Sequence, residues 1–532
     1  MTAIPDLKAQ KYDRQLRLWA ASGQAALENA NVCLLNATTT GTEILKNLIL
    51  PGIGSFSIAD NAIVNQKDVS SNFFLDTSCI GKSKSLATVE YLRELNEDVK
   101  GHHDERSPEY LIVEEPSFFD QFTMVIATSL SDTLALKLAN ICEATKTPLF
   151  LVKCIGFTGM FRIQAGENTI IETHPENSSD LRLDMPFPTL LDYVKEFDFD
   201  KMDSSEHGHV PFVVVLQHYL QVWKSKHDGK LPSSYSERNE FKELLKKGMR
   251  SYDEENFEEA ISHVWRLAST SGVPSELQSI LNDPSCENIT KDSSNFWIIA
   301  RAIRDFVQNE GSGLLPLPGK LPDMKADTKG YVRLQQIYRQ KAIEDYEAIN
   351  ARVQGLLTSV ELLSDAIDSR EIEEFCKFAS HVKVIRYRTL EQEYLTEPNT
   401  TAICQWLEES DPQNNIVHYV MFRAADLFVK EYGSLKDRDE EETVKLLEDC
   451  TTNVLTSVGI PNNKAVALTT DRLKPCIINF ARYNGAELPN IASLMGGLVA
   501  QEVIKIITRQ YIPVNNTCIY DGMSATTATY VL

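Results

Sequence analysis

The chain has 532 residues, more than one ordinary hydrophobic core accommodates, so two or three domains are expected. Apolar residues make up 43% and charged residues 24%, which excludes the low-hydrophobicity composition of a disordered protein. Lys and Arg number 53 against 75 Asp and Glu; the resulting formal charge of −22 argues against nucleic-acid binding and leaves either a solvated acidic surface or a face for a basic protein partner.

Met1 to Gln15 is polar and carries charge of both signs, and the longest aliphatic runs, such as Val213-Val214-Val215-Leu216, are far too short to span a bilayer. A soluble protein of the cytoplasm or nucleus, with no membrane partner, is expected. Tyr12 to Trp19 reads as an amphipathic helix ahead of the first strand. The ten cysteines run from Cys33 to Cys518 with no Cys-x-x-Cys pair, so neither a zinc knuckle nor a disulfide framework is expected, and no metal site.

From Asn31 to about Ile163, short apolar runs alternate with helical stretches, the pattern of a doubly wound parallel sheet. The expected strands are Val32–Leu35, Ser55–Ala59, Thr123–Ala127 and Pro148–Val152, with a helix over Thr42–Leu50. Between about residues 166 and 480 the periodicity becomes helical. Asn295–Gln308 and Gly330–Leu357 are the clearest amphipathic helices, joined through an ordered loop over Gly311–Pro322. After about Phe480 the first character returns, with an apolar helix over Ile491–Ile507 and a strand at Thr517–Tyr520. The expected fold is therefore α/β and Rossmann-like: residues 1–165 and 481–532 form one domain, interrupted by a mainly helical insertion over 166–480.

A first strand, a turn, a helix and an acid closing the second strand make a mononucleotide-binding layout, and Asp60 stands where that acid belongs. The turn, however, is Asn36-Ala37-Thr38-Thr39-Thr40-Gly41. Close approach of backbone N–H groups to phosphates demands glycines, and three threonines narrow and stiffen that space.

Val32 to Glu43 resembles the strand-turn-helix of the adenylating domain shared by ubiquitin-like activating enzymes and bacterial sulfur-carrier adenylases. That family has a G-x-G-G-x-G turn; here Asn36, Thr38 and Thr39 replace three glycines and only Gly41 remains. Ser71-Asn72-Phe73-Phe74 stands for the family's Asn-Arg-Gln-Phe, without the arginine and glutamine that face ATP. Ala127 and Leu130 occupy the family's acidic positions, so the magnesium carboxylate is missing. Asp60 and Lys84 match the family pattern. The resemblance implies a degenerate site that binds no cofactor of its own.

Two further segments carry the resemblance. Tyr12-Asp13-Arg14-Gln15 resembles the family's Y-x-R-Q opening, whose arginine reaches the neighbouring subunit's ATP. Ser493 to Lys505 resembles its S-x-x-G-G-x-x-A-Q-E-x-x-K helix, in which Gly496 and Gly497 pack closely on the sheet or on a partner, with Gln501 and Lys505 further along. Length and the helical insertion, including Phe296–Gly311 and Tyr331–Arg339, resemble the branch of the family acting on the Nedd/Rub modifier. No cysteine lies in the thioester-forming context.

The resemblance implies a non-catalytic subunit of a heterodimer. Its catalytic partner would hold ATP and magnesium, adenylate the modifier's C-terminal glycine and form the thioester; a conjugating enzyme would bind transiently. Arg14 would assist the partner's site, and the interface candidates are Arg14, Gln15, Tyr331, Leu334, Tyr338, Gly496, Gly497, Gln501 and Lys505. The alternatives are a pure scaffold subunit and a free-standing nucleotide-dependent oxidoreductase that places Asp60 on a ribose.

Overall fold

The computed structural model describes residues 7–176, 179–268, 271–409, 411, 413–435 and 438–532; the first six residues of the polar N-terminus lie outside them. Two compact units divide the chain, one of residues 1–168 with 384–532, the other of residues 169–383.

In the first unit, α1 spans Asp13–Glu28 and breaks at Trp19–Ala20, where Ala20 takes a φ of 56°. At the break the Trp19 carbonyl accepts a hydrogen bond from Gln510 Nε2 at 3.1 Å. Then come β1 (Asn31–Leu35), α2 (Thr39–Ile49), β2 (Ser55–Ala59), β3 (Lys100–Asp104), β4 (Met124–Thr128), α3 (Asp132–Thr145), β5 (Leu149–Ile155) and β6 (Thr158–Gln164).

The second unit is mainly helical. Its core gathers Phe212, Leu216 and Trp223 of α4 (Phe212–Lys226) with Leu190, Phe241 and Phe257. Helix α5 is Asn295–Gln308, and α6 is Thr328–Ser359, which the sequence places within two residues at either end. The connector between them is pinned: Leu315, Leu317 and Leu321 are buried, and the Leu317 N–H donates to Asp345 Oδ2 at 3.0 Å.

The chain returns to the first unit at residue 384, not near 481. Helices α7 (Ile416–Tyr432), α8 (Glu440–Ser457) and α9 (Lys474–Tyr483) share one apolar cluster with Met160 of β6 and with Ile519, Tyr530 and Leu532 near the C-terminus. The expected block 166–480 is thus cut in two. Helical periodicity shows that a face is buried, but not which neighbour buries it.

Helix α10 (Pro489–Thr508) precedes β7 (Thr517–Asp521) and β8 (Thr526–Tyr530). Among the described residues it is the one helix long and apolar enough to cross a membrane, yet Ile491, Ala492, Met495, Val499, Ala500 and Val503 are buried as a core face. The sheet order is β8-β7-β6-β5-β4-β1-β2-β3. Strands β1 to β5 run parallel, and β6, β7 and β8 add antiparallel pairs. Strand order reverses at β1, which lies between β4 and β2. The carboxyl ends of β1, β2 and β4 are level there, with Leu35 beside both Ala59 and Ala127. A crevice at this switch point is where such sheets bind ligands.

Candidate functional site

The switch-point turn leaves β1 at Asn36, whose φ of 67° is the left-handed conformation that a glycine adopts without cost. Its side-chain amide donates to the Thr128 carbonyl at the end of β4, 2.8 Å away. Thr38 caps α2, accepting from the Gly41 N–H at 3.1 Å and donating to the Thr128 hydroxyl at 3.0 Å. These bonds join β1 to β4 across the crevice.

Gly41 serves the protein rather than a ligand. A β-carbon there would meet Leu34 Cδ1 at 3.0 Å and the Asn36 carbonyl oxygen at 3.1 Å, so the glycine lets α2 lie close on β1. Asp60 is 4% exposed, and its two oxygens accept from the Ala37 and Ala62 N–H groups, each at 2.8 Å. That turns the carboxylate inward and removes the ribose contact an oxidoreductase would need. Lys84 is ion-paired with Asp68 at 2.8 Å.

Where the family faces ATP with an arginine and a glutamine stand Asn72, which accepts from the Thr42 hydroxyl at 3.2 Å, and the exposed, apolar Phe73; the adjacent Ser71 accepts from the Thr39 hydroxyl at 3.2 Å. Ala127 and Leu130 are buried and apolar. Asp132, two residues further on, is ion-paired with Lys153 at 2.6 Å. Among the described residues, no group of three His, Cys, Asp or Glu side chains is placed to hold a metal. Magnesium-ATP does not fit these residues: the metal carboxylate is absent, and the Asn36 and Thr38 side chains and the Ala37 and Thr40 N–H groups are held by Thr128, Asp60 and Glu487 of the same chain.

Sequence reasoning missed one member of this site. Glu487, in the loop between α9 and α10, accepts from the Thr40 N–H at 3.0 Å and from the Ser129 hydroxyl at 3.3 Å. Thr40 is the second residue of α2, so a carboxylate of the same chain sits on the helix end where a phosphate would. With 447 positions separating the two residues, no local motif announces the contact.

On the outer face, Tyr12 is buried and its hydroxyl accepts from Asn96 Nδ2 at 3.0 Å, which anchors the start of α1. Arg14 is exposed and has no hydrogen-bond or ion-pair partner among the described residues; Gln15 is half-buried, and the nearby Asp13 pairs with Arg17 at 2.9 Å. Along α10, Leu494, Gly497 and Gln501 are exposed on one side, whereas Gly496 is buried against α2.

The ThiF family profile matches residues 12–531. The chain belongs to the ThiF family. It is 44% identical over 543 residues to the "NEDD8-activating enzyme E1 regulatory subunit" of Xenopus laevis, covering 100% of both chains. It is 42% identical to the protein of that description in Gallus gallus, covering 99% of this chain and 98% of the relative. In Arabidopsis thaliana a regulatory subunit so described is 39% identical over 96% of this chain and 97% of its own length.

Several of the expected interface residues lie inside the fold. Leu334 and Tyr338 are fully buried in the core of the second unit, where the Tyr338 hydroxyl donates to the Leu181 carbonyl at 2.6 Å; they cannot form a docking face. Gly496 is enclosed within the first unit. Lys505 is turned inward, its ammonium 2.6 Å from the carboxylate of buried Glu502 and 3.2 Å from the Ile512 carbonyl. Arg14, Gln15, Gly497 and Gln501 stay at the surface, and Tyr331 is half-buried.

Of the ten cysteines, eight are buried, and Cys404 and Cys476 are partly so. In the second unit, burial pushes the Cys286 thiol up to about 11 and the Cys376 thiol up to about 12, so neither is a thiolate at neutral pH.

Proposed function

We propose that this chain is the regulatory, non-catalytic subunit of a NEDD8-activating enzyme. Full-length kinship with proteins so described supports the assignment. The observation that carries the division of labour is a contrast within one unit. The turn that should hold a nucleotide is bonded to its own chain, while Arg14 stands exposed and, among the described residues, unpartnered.

In this reading the catalytic partner holds ATP and magnesium, adenylates the C-terminal glycine of the modifier and receives the acyl group on its own cysteine. This chain brings Arg14 to the partner's ATP. A guanidinium stays charged and forms paired hydrogen bonds to phosphate oxygens, offsetting negative charge as the α-phosphate is attacked. The exposed side of α10, with Leu494, Gly497 and Gln501, belongs to the surface that meets the partner. The second unit lines a groove for the modifier, and a conjugating enzyme docks transiently, in the cytoplasm or nucleus.

The test is calorimetry of magnesium-ATP on the purified chain, with modifier-dependent pyrophosphate exchange measured before and after adding the catalytic subunit. The chain alone is expected to give neither binding nor exchange, and the pair to give exchange. Micromolar ATP binding by the isolated chain would contradict the reading.

A further inference from the structure

Glu487 arrives at the end of α2 by a built route. The Gly156 N–H between β5 and β6 donates to the Ala486 carbonyl at 2.7 Å, and Gly156, at a φ of 57°, has the Tyr483 ring where a side chain would be. The loop is thereby held with the Glu487 carboxylate on the Thr40 N–H and the Ser129 hydroxyl. Among the described residues, Lys84 is a charge that faces it. Burial raises the Glu487 carboxyl above the usual carboxylate range, against the lowering effects of the Thr40 N–H and of Lys84.

We infer that Glu487 is an intramolecular stand-in for a phosphate, which fills the anion position at the N-terminus of α2 and so excludes nucleotide and pyrophosphate from the degenerate turn. The inference rests on the reading that this chain binds no nucleotide, and it names the residue that enforces it. Threonines narrow the turn, but the Thr40 N–H would still face an open position without the carboxylate. An anion arriving from solution must displace a group that the chain supplies at very high effective concentration.

The experiment compares the full chain as wild type, Glu487→Ala and Glu487→Gln. Thermal unfolding is followed against inorganic pyrophosphate, without magnesium and at matched ionic strength. Alanine opens the position, and the expected result is an upward Tm shift of roughly 2–4 °C at high pyrophosphate. Glutamine fills the position with a neutral isostere, so this variant and the wild type are expected to show no such shift. If the alanine variant does not fold, Glu487→Asp takes its place, because its carboxylate falls one methylene short of Thr40. The same pyrophosphate response in all the chains compared, or none in the opened variant, overturns the inference. Tight magnesium-ATP binding by the wild type would instead overturn the functional reading beneath it.

Discussion

Gly496 lies directly on Glu43: a β-carbon added to Gly496 would come within 2.7 Å of Glu43 Cβ and 2.9 Å of its carbonyl carbon. Its neighbour Gly497 faces open space. Paired glycines in one helix therefore do two different things. Gly496→Ala should cost about 1–3 kcal/mol, because backbone of α2 has to move. Gly497→Ala should be neutral or stabilise by up to about 1 kcal/mol in the free chain, since helix propensity improves. Urea unfolding of the two variants measures the contrast, and equal losses would contradict it.

Association and folding separate along the same lines. Leu334→Ala, in the core of the second unit, should lose about 2–5 kcal/mol of stability. Leu494→Asp combined with Gln501→Arg, on the exposed side of α10, should leave the unfolding midpoint nearly unchanged and weaken co-elution with the catalytic subunit at least tenfold. Intact co-elution would remove that side from the interface. Lys505→Glu belongs with the folding variants, because it would place a second carboxylate beside Glu502.

Asp521 gives the first unit an acid-sensitive point. Burial alone would raise its carboxyl, but His418, with Nε2 3.7 Å away, and hydrogen bonds from the Ser524 hydroxyl and the Met523 N–H hold it well below the usual carboxylate range. A group depressed in the folded state contributes stability above its unfolded pKa, and that contribution fades as pH falls toward the folded value. Asp521→Asn should therefore destabilise by about 1–3 kcal/mol at pH 7, with the difference from wild type shrinking below about pH 4. Unfolding midpoints at pH 7 and pH 3.5 test the sign.

The sequence disclosed the sheet where strands are buried on both faces. Val32–Leu35 and Ser55–Ala59 are such runs, and both are strands. Lys100–Asp104 escaped because it is the edge strand β3, with mostly exposed polar residues and no apolar run. Thr526–Tyr530 escaped for the same reason at the opposite edge. The degenerate turn was legible because missing glycines and a missing carboxylate are local facts. Glu487 was not, because its role depends on a loop brought back by β5 and β6, and Leu334 and Tyr338 looked like a docking stripe because helical spacing is the same for a core face and an interface.

The central claim, that this chain has given up its own phosphate site yet serves another subunit's, turns on Arg14. In phosphoryl-transfer enzymes an arginine supplied from outside contributes about 10³ to 10⁵ in rate, and a partner with its own metal shares that load. The decisive measurement is modifier-dependent pyrophosphate exchange by the reconstituted heterodimer carrying Arg14→Ala, with Arg14→Lys beside it and subunit stoichiometry checked by gel filtration. The account predicts a loss of roughly 10 to 10³ with the dimer and fold intact, and partial recovery with lysine, whose compact ammonium lacks the paired geometry. Wild-type exchange by the alanine variant at both limiting and saturating ATP would contradict it.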